Sequence, residues 1–168
     1  MSETSLTPRS RILRRLERDP GLHLREVARR TDLSLGTVRY HLSRLEEGEA
    51  VVRHTTRGFV RWFPRRGLSV HDRALISAIR VYAQRALIGA LLESDSARFS
   101  ALRATTSLSP ATLSRNLQKL GRMGLLTRGE GGVYRLADPA AVRSGLARYR
   151  RRFPDFLAEA AVEVFEGR

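Results

Sequence analysis

A chain of 168 residues, 42% of them hydrophobic, has room for one ordinary domain or two small ones with real cores, and is too apolar for wholesale disorder. It contains no cysteine, which excludes disulfides, thiolate metal sites and thiol redox chemistry, and no apolar run approaches the ~18 residues of a membrane span. The net charge of +14, from 31 basic and 17 acidic residues, calls for a polyanionic partner, of which nucleic acid is the commonest.

The N-terminal stretch Met1–Thr7 lacks an apolar signal-peptide core, so a cytoplasmic, nucleoid-associated protein is expected. Thr7 then caps a first helix and Pro8 opens it. Ile12, Leu13 and Leu16 lie on one side, and Asp19-Pro20-Gly21 ends it. A short helix over about 24–30 turns Leu24, Val27 and Ala28 inward. Thr31-Asp32-Leu33 makes a tight turn, and Ser34 caps a third helix over about 35–47. Two β-prone stretches, 50–55 and 59–63, flank Arg57-Gly58 as a short hairpin. Helix, helix, tight turn, helix, hairpin is the winged helix-turn-helix order.

Residues 10–53 align without a gap onto 85–128, an offset of 75. Leu16/Leu91, Thr31/Thr106, Leu33/Leu108, Ser34/Ser109, Thr37/Thr112, Leu42/Leu117, Leu45/Leu120 and Arg53/Arg128 are identical, and apolar pairs such as Val27/Leu102 and Val38/Leu113 keep step. One supersecondary unit used twice is the expectation. The second copy predicts one long helix over 73–92, further helices over 99–105 and 110–123, and a hairpin pairing 125–128 with 133–136 across Gly129–Gly132. The first helix carries an apolar stripe of Leu75, Ile79, Tyr82, Ala83, Ala86 and Ala90. At ~1.5 Å per residue it outruns a single unit's core and demands a partner. After the second hairpin, Asp138 caps and Pro139 opens another helix with Val142, Leu146 and Tyr149 inward. The last stretch, 155–165, is acidic and amphipathic, which suits a protein contact and not DNA. It is read as a dimerisation element, with folding back onto its own second unit as the alternative.

The fold class is therefore mainly α with small β-hairpin wings (α+β). Residues 1–66 form one winged unit, 67–137 a second with an extended first helix, and 138–168 the C-terminal helices. The motif TDLSLGTVRYHLSRLEEGEAVV (31–52) resembles the helix-turn-helix of ArsR- and MarR-type regulators, and SLSPATLSRNLQKLGRMGLLT (107–127) is similar to it. Two such units followed by helices resemble archaeal predicted transcriptional regulators with two helix-turn-helix domains. Two departures stand out. Glu49 occupies the place where that motif carries a glycine, as at Gly124, and the thiolate ligands of metal-sensing relatives are missing.

At about 100° per residue, Leu35, Val38, Leu42 and Leu45 share one arc of the third helix. The opposite face carries Gly36, Thr37, Tyr40, Ser43 and Arg44, with Arg39 at its edge. Arg39 suits guanine O6 and N7, Tyr40 suits sugar or phosphate, and Gly36 allows close approach. Ser34 and Thr37 sit where a helix N-terminus favours a phosphate. His41 lies beside the core arc and is read as a packing residue. In the hairpin, Arg53, His54, Arg57 and Arg61 alternate with apolar residues and are expected on one backbone-facing side, with Trp62 and Phe63 closing the core. The second unit offers Ser114, Arg115, Gln118 and Lys119, and its less basic wing makes the first unit the stronger reader. There is no phosphate loop, G-x-S-x-G or H-E-x-x-H, and the four histidines are far apart. The sequence reads as a non-enzymatic DNA-binding transcription regulator of double-stranded DNA, with no cofactor or metal, no membrane partner and an expected homodimer. A nucleoid protein that coats DNA without sequence choice is the alternative.

Overall fold

The computed structural model describes residues 6–56 and 59–152, and two compact units divide them near Ser69. In the first, α1 (Pro8–Arg18), α2 (Leu24–Thr31) and α3 (Leu35–Glu47) precede the antiparallel strands β1 (Val51–Thr56) and β2 (Phe59–Pro64). Thr7 accepts from the Ser10 amide as the N-cap of α1, with Pro8 in the first turn. Between α2 and α3 the chain reverses at Asp32, which takes the left-handed conformation at φ +49°. The Thr31 hydroxyl closes that turn by donating to Val27 O at 2.7 Å. The apolar stripes of all three helices then meet around Ile12, Leu16, Val27, Val38 and Leu42, all fully buried, with Trp62 packed against them. Leu22 adds a single isolated bridge to Trp62 beside the two-stranded hairpin.

In the second unit, α4 (Val70–Ile79) and α5 (Tyr82–Ser94) lead through β3 (Ser96–Arg98) to α6 (Phe99–Thr106) and α7 (Pro110–Arg122). Then come β4 (Leu126–Arg128), β5 (Val133–Leu136) and α8 (Pro139–Arg152). The sheet order is β3-β5-β4. The boundaries of α6 and α7 are those of α2 and α3 displaced by the 75-residue offset. The local devices recur too: Thr106 donates to Leu102 O at 2.6 Å, Ser107 is left-handed at φ +54°, and Ser109 caps α7 as Ser34 caps α3. Asp138 receives the Ala141 amide at 2.8 Å, and Val142, Leu146 and Tyr149 of α8 are buried.

The long helix expected over 73–92 is not continuous. It breaks at Arg80-Val81 with a bend of 108° between α4 and α5. Val81 is extended, at φ −104° and ψ 114°, and the Arg85 guanidinium donates to the freed Ile79 carbonyl at 2.9 Å. The bend removes the surplus face from which a partner was inferred: Leu75, Ile79, Ala83 and Ala90 are buried within the chain, and of the stripe Tyr82 is left exposed. The terminal stretch 155–165, the other expected dimerisation element, lies outside the described residues, as does Arg57. No helix among the described residues is long and apolar enough to cross a membrane.

Candidate nucleic-acid interface

One face of α3 is sealed. Val38 and Leu42 are fully buried and Leu45 nearly so. Leu35, expected in the same arc, is instead 43% exposed: as the first helical residue it lies a turn beyond the core that Val38 enters. The opposite face presents Gly36, Arg39, Tyr40, Ser43 and Arg44, all exposed. A Cβ at Gly36 would meet nothing closer than the Ser34 hydroxyl at 3.9 Å, so internal packing does not require a glycine there. Ser34 and Thr37 bond each other, hydroxyl to hydroxyl at 2.8 Å, while Ser34 accepts the Thr37 amide at 3.1 Å. Their side chains are thus committed first to capping the start of α3.

The basic side chains differ in freedom. Arg39 has no hydrogen bond or ion pair among the described residues. Arg44 donates to Glu47 at 2.9 Å and stacks over the Tyr40 ring at 5.8 Å. Tyr40 and then Glu47 hold its guanidinium charged, above the ordinary value. Tyr40 makes an edge contact with half-buried His41 at 5.1 Å.

The hairpin departs from the expected single basic face. Residues directly opposite in an antiparallel pair share a side, and the register sets Arg53 against Trp62 but His54 against Arg61. Arg53 and Arg61 therefore lie on opposite faces. Arg53 is exposed and reaches Glu46 at 3.2 Å. Arg61 is turned inward, donating to Gly21 O at 2.8 Å and lying 3.9 Å from Glu26. It braces the hairpin against the start of α2. Glu26 also accepts the His23 amide at 2.7 Å, and the His23 ring meets Val60 O at 2.8 Å. Phe59, at the start of β2, is exposed. Trp62 packs against the first unit's core as expected, whereas Phe63, fully buried, lies on the opposite face of the hairpin with His54 and Arg61.

On α7, Arg115 and Gln118 are exposed and Ser114 and Lys119 half-buried. The site features that sequence reasoning missed are exposed Leu35 and Phe59, and Arg9, whose guanidinium lies beside Gly48 at the far end of α3. Nothing in the local pattern of α1 marks Arg9, because its neighbours come from a helix more than thirty residues away.

The comparisons agree with this geometry where they reach. No curated protein matches the chain. The model of a family described as the HTH_HVO_0163 N-terminal HTH domain matches residues 6–76, which span the first unit and run into α4, so this part of the chain is similar to a helix-turn-helix domain.

Proposed function

We propose that the protein is a transcription regulator that reads duplex DNA with α3 in the major groove and the β1–β2 hairpin along the backbone. The observation that carries this is the division of α3. Its inner side is locked by Val38, Leu42 and Leu45, while Arg39, Tyr40 and Ser43 are presented on a rigid element, as groove reading requires. Exposed Leu35 adds an apolar contact of the kind that suits a thymine methyl. In this reading the second unit is a further winged helix-turn-helix of the ArsR/MarR type, as in archaeal regulators with two such domains, and the protein is a cytoplasmic homodimer. The second unit's Ser114, Arg115, Gln118 and Lys119 make a weaker interface than the first unit's.

The net charge of +14 supports a second reading, a nucleoid protein that coats DNA without sequence choice. Selection of bound sequences from a random duplex pool, followed by competition at physiological salt, separates the two. A regulator prefers its site over scrambled duplex by ~10³ or more. Equal affinity favours the coating protein, and no duplex binding at all rejects both.

A further inference from the structure

Between the N-terminal turn of α1 and the C-terminal half of α3 lies a groove of about 490 Å³, lined by Arg9, Tyr40, His41, Arg44, Glu47 and Gly48. Its second-unit counterpart is built differently. The residues 75 places on from Arg9 and His41 are Gln84 and Asn116. These two are buried and bond each other across α5 and α7, Gln84 Nε2 donating to Asn116 Oδ1 at 3.2 Å. Asn116 also donates to Thr112 O at 2.8 Å. A neutral amide pair thus closes the helix seam in the second unit. In the first, an arginine and a half-buried histidine stand there, and Arg9 has no hydrogen bond or ion pair among the described residues.

Gly48 shows that the first unit keeps the groove open. Its counterpart is Met123, with nearly the same backbone: φ −82° and ψ 13° for Gly48, φ −78° and ψ −2° for Met123. The conformation therefore does not demand glycine. Space is what differs: a Cβ at Gly48 would already lie 3.3 Å from Arg44 O and 3.4 Å, ordinary contact, from an Arg9 guanidinium nitrogen, so a side chain longer than alanine's would displace Arg9. Glycine here admits Arg9 to the end of α3, beside an Arg44 already oriented by Glu47 and Tyr40.

Two arginines against one glutamate leave the groove net positive. It runs along the flank of the helix, continuous with its exposed face. A helix in a major groove about 12 Å wide has a phosphate strand on each side, so a cationic flank meets the backbone and not the base edges. We propose that Arg9, admitted by Gly48, forms with Arg44 a seat for one backbone phosphate of the bound duplex, a contact that fixes the register of α3 without reading sequence. This rests on the DNA-binding reading above.

The test compares wild type, Arg9→Ala, Gly48→Met and the double variant Arg9→Gln/His41→Asn, which installs the second unit's own pair. Each is titrated with the selected duplex and a scrambled one between 50 and 200 mM salt, with folding checked by thermal melting. All three variants should bind both duplexes about tenfold more weakly, with the slope of log K against log salt reduced by about one and the preference between duplexes unchanged. Arg9→Ala loses no hydrogen bond or ion pair among the described residues, so it is expected to stay folded even if the double variant does not. Wild-type affinity and slope in Arg9→Ala overturn the seat, and so does a changed sequence preference at unchanged slope. Failure of the wild type to bind any duplex instead rejects the DNA reading itself, and the seat with it.

Discussion

Glu49 and Gly124 hold the same station in their two units and the same left-handed backbone, at φ +55° and φ +71°. The hydrogen bonds around them match as well. The Glu49 and Gly124 amides donate to Glu46 O and Gly121 O, and the following amides, of Ala50 and Leu125, return to Leu45 O and Leu120 O. One helix-ending device thus carries a glycine once and a β-carbon once.

That β-carbon is strained, since only glycine enters this region without steric cost. The ion pair from Glu49 to Arg65, at 3.3 Å between exposed side chains, contributes little in return. Glu49→Gly should therefore raise stability by about 0.5–1 kcal/mol, the relieved strain exceeding the added unfolded-chain entropy. Gly124→Ala should lower it by about 1 kcal/mol. Urea unfolding of both variants checks the pair, and a destabilised Glu49→Gly would show that Arg65 matters more than the backbone.

Much of the fold is written in local chemistry. Thr7-Pro8, Ser34, Ser109 and Asp138-Pro139 mark helix starts where the structure has them, because capping depends only on the next three residues. The break at Arg80-Val81 has no such mark. There is no proline or glycine, the apolar stripe runs on through it, and the bend is set by how α4 is buried, with Arg85 taking up the freed carbonyl. The interface divides the same way. The exposed side of α3 follows from helical periodicity, but the inward turn of Arg61 does not. Alternation along a strand says nothing of which face the hairpin register lays against α2.

The second unit holds a buried carboxylate that ties its ends together. Asp72 of α4 accepts from the Tyr149 hydroxyl and the Arg148 guanidinium of α8, each at 2.5 Å. Burial first, and then the hydrogen bond to Asp72, raises the Tyr149 pKa above its ordinary 10.0. A phenol whose folded pKa is raised contributes stability that is fully present below pH about 10 and is lost as pH rises above it, because the unfolded chain releases the proton first. Alkaline unfolding should therefore set in above pH about 10 and be blunted by Tyr149→Phe. Asp72→Ala should cost about 1–3 kcal/mol by leaving a buried hydroxyl without an acceptor. An identical alkaline limb in wild type and Tyr149→Phe would reject this account.

A homodimer remains the expectation for a reader of paired half-sites, although the stripe of α4 and α5 no longer argues for it. Light scattering should give twice the chain mass at tens of micromolar, and deletion of residues 154–168 should shift it toward the monomer. A full-length monomer, or a dimer indifferent to the deletion, removes the terminal stretch as the interface.

The sharpest prediction separates reading from holding. Arg39 is exposed on a helix whose reverse side is locked and has no ion-pair partner among the described residues, so its guanidinium is placed for a base edge. Arg53 stands on the hairpin, exposed and bonded only loosely to Glu46, where a swap to phosphate costs little. Arg39→Ala should cost about 1–3 kcal/mol on the preferred site and relax the choice of one base pair. Arg53→Ala should weaken all sequences about equally and reduce the salt slope by about one. Both variants should melt like wild type, since neither side chain enters the core. Leu42→Ala is the contrasting case: its fully buried side chain should cost about 2–5 kcal/mol of stability through the cavity it leaves. Binding of each variant is measured on preferred and scrambled duplex at two salt concentrations. If Arg39→Ala loses equal affinity on both, α3 is holding DNA without reading it, and a protein that coats DNA becomes the better description.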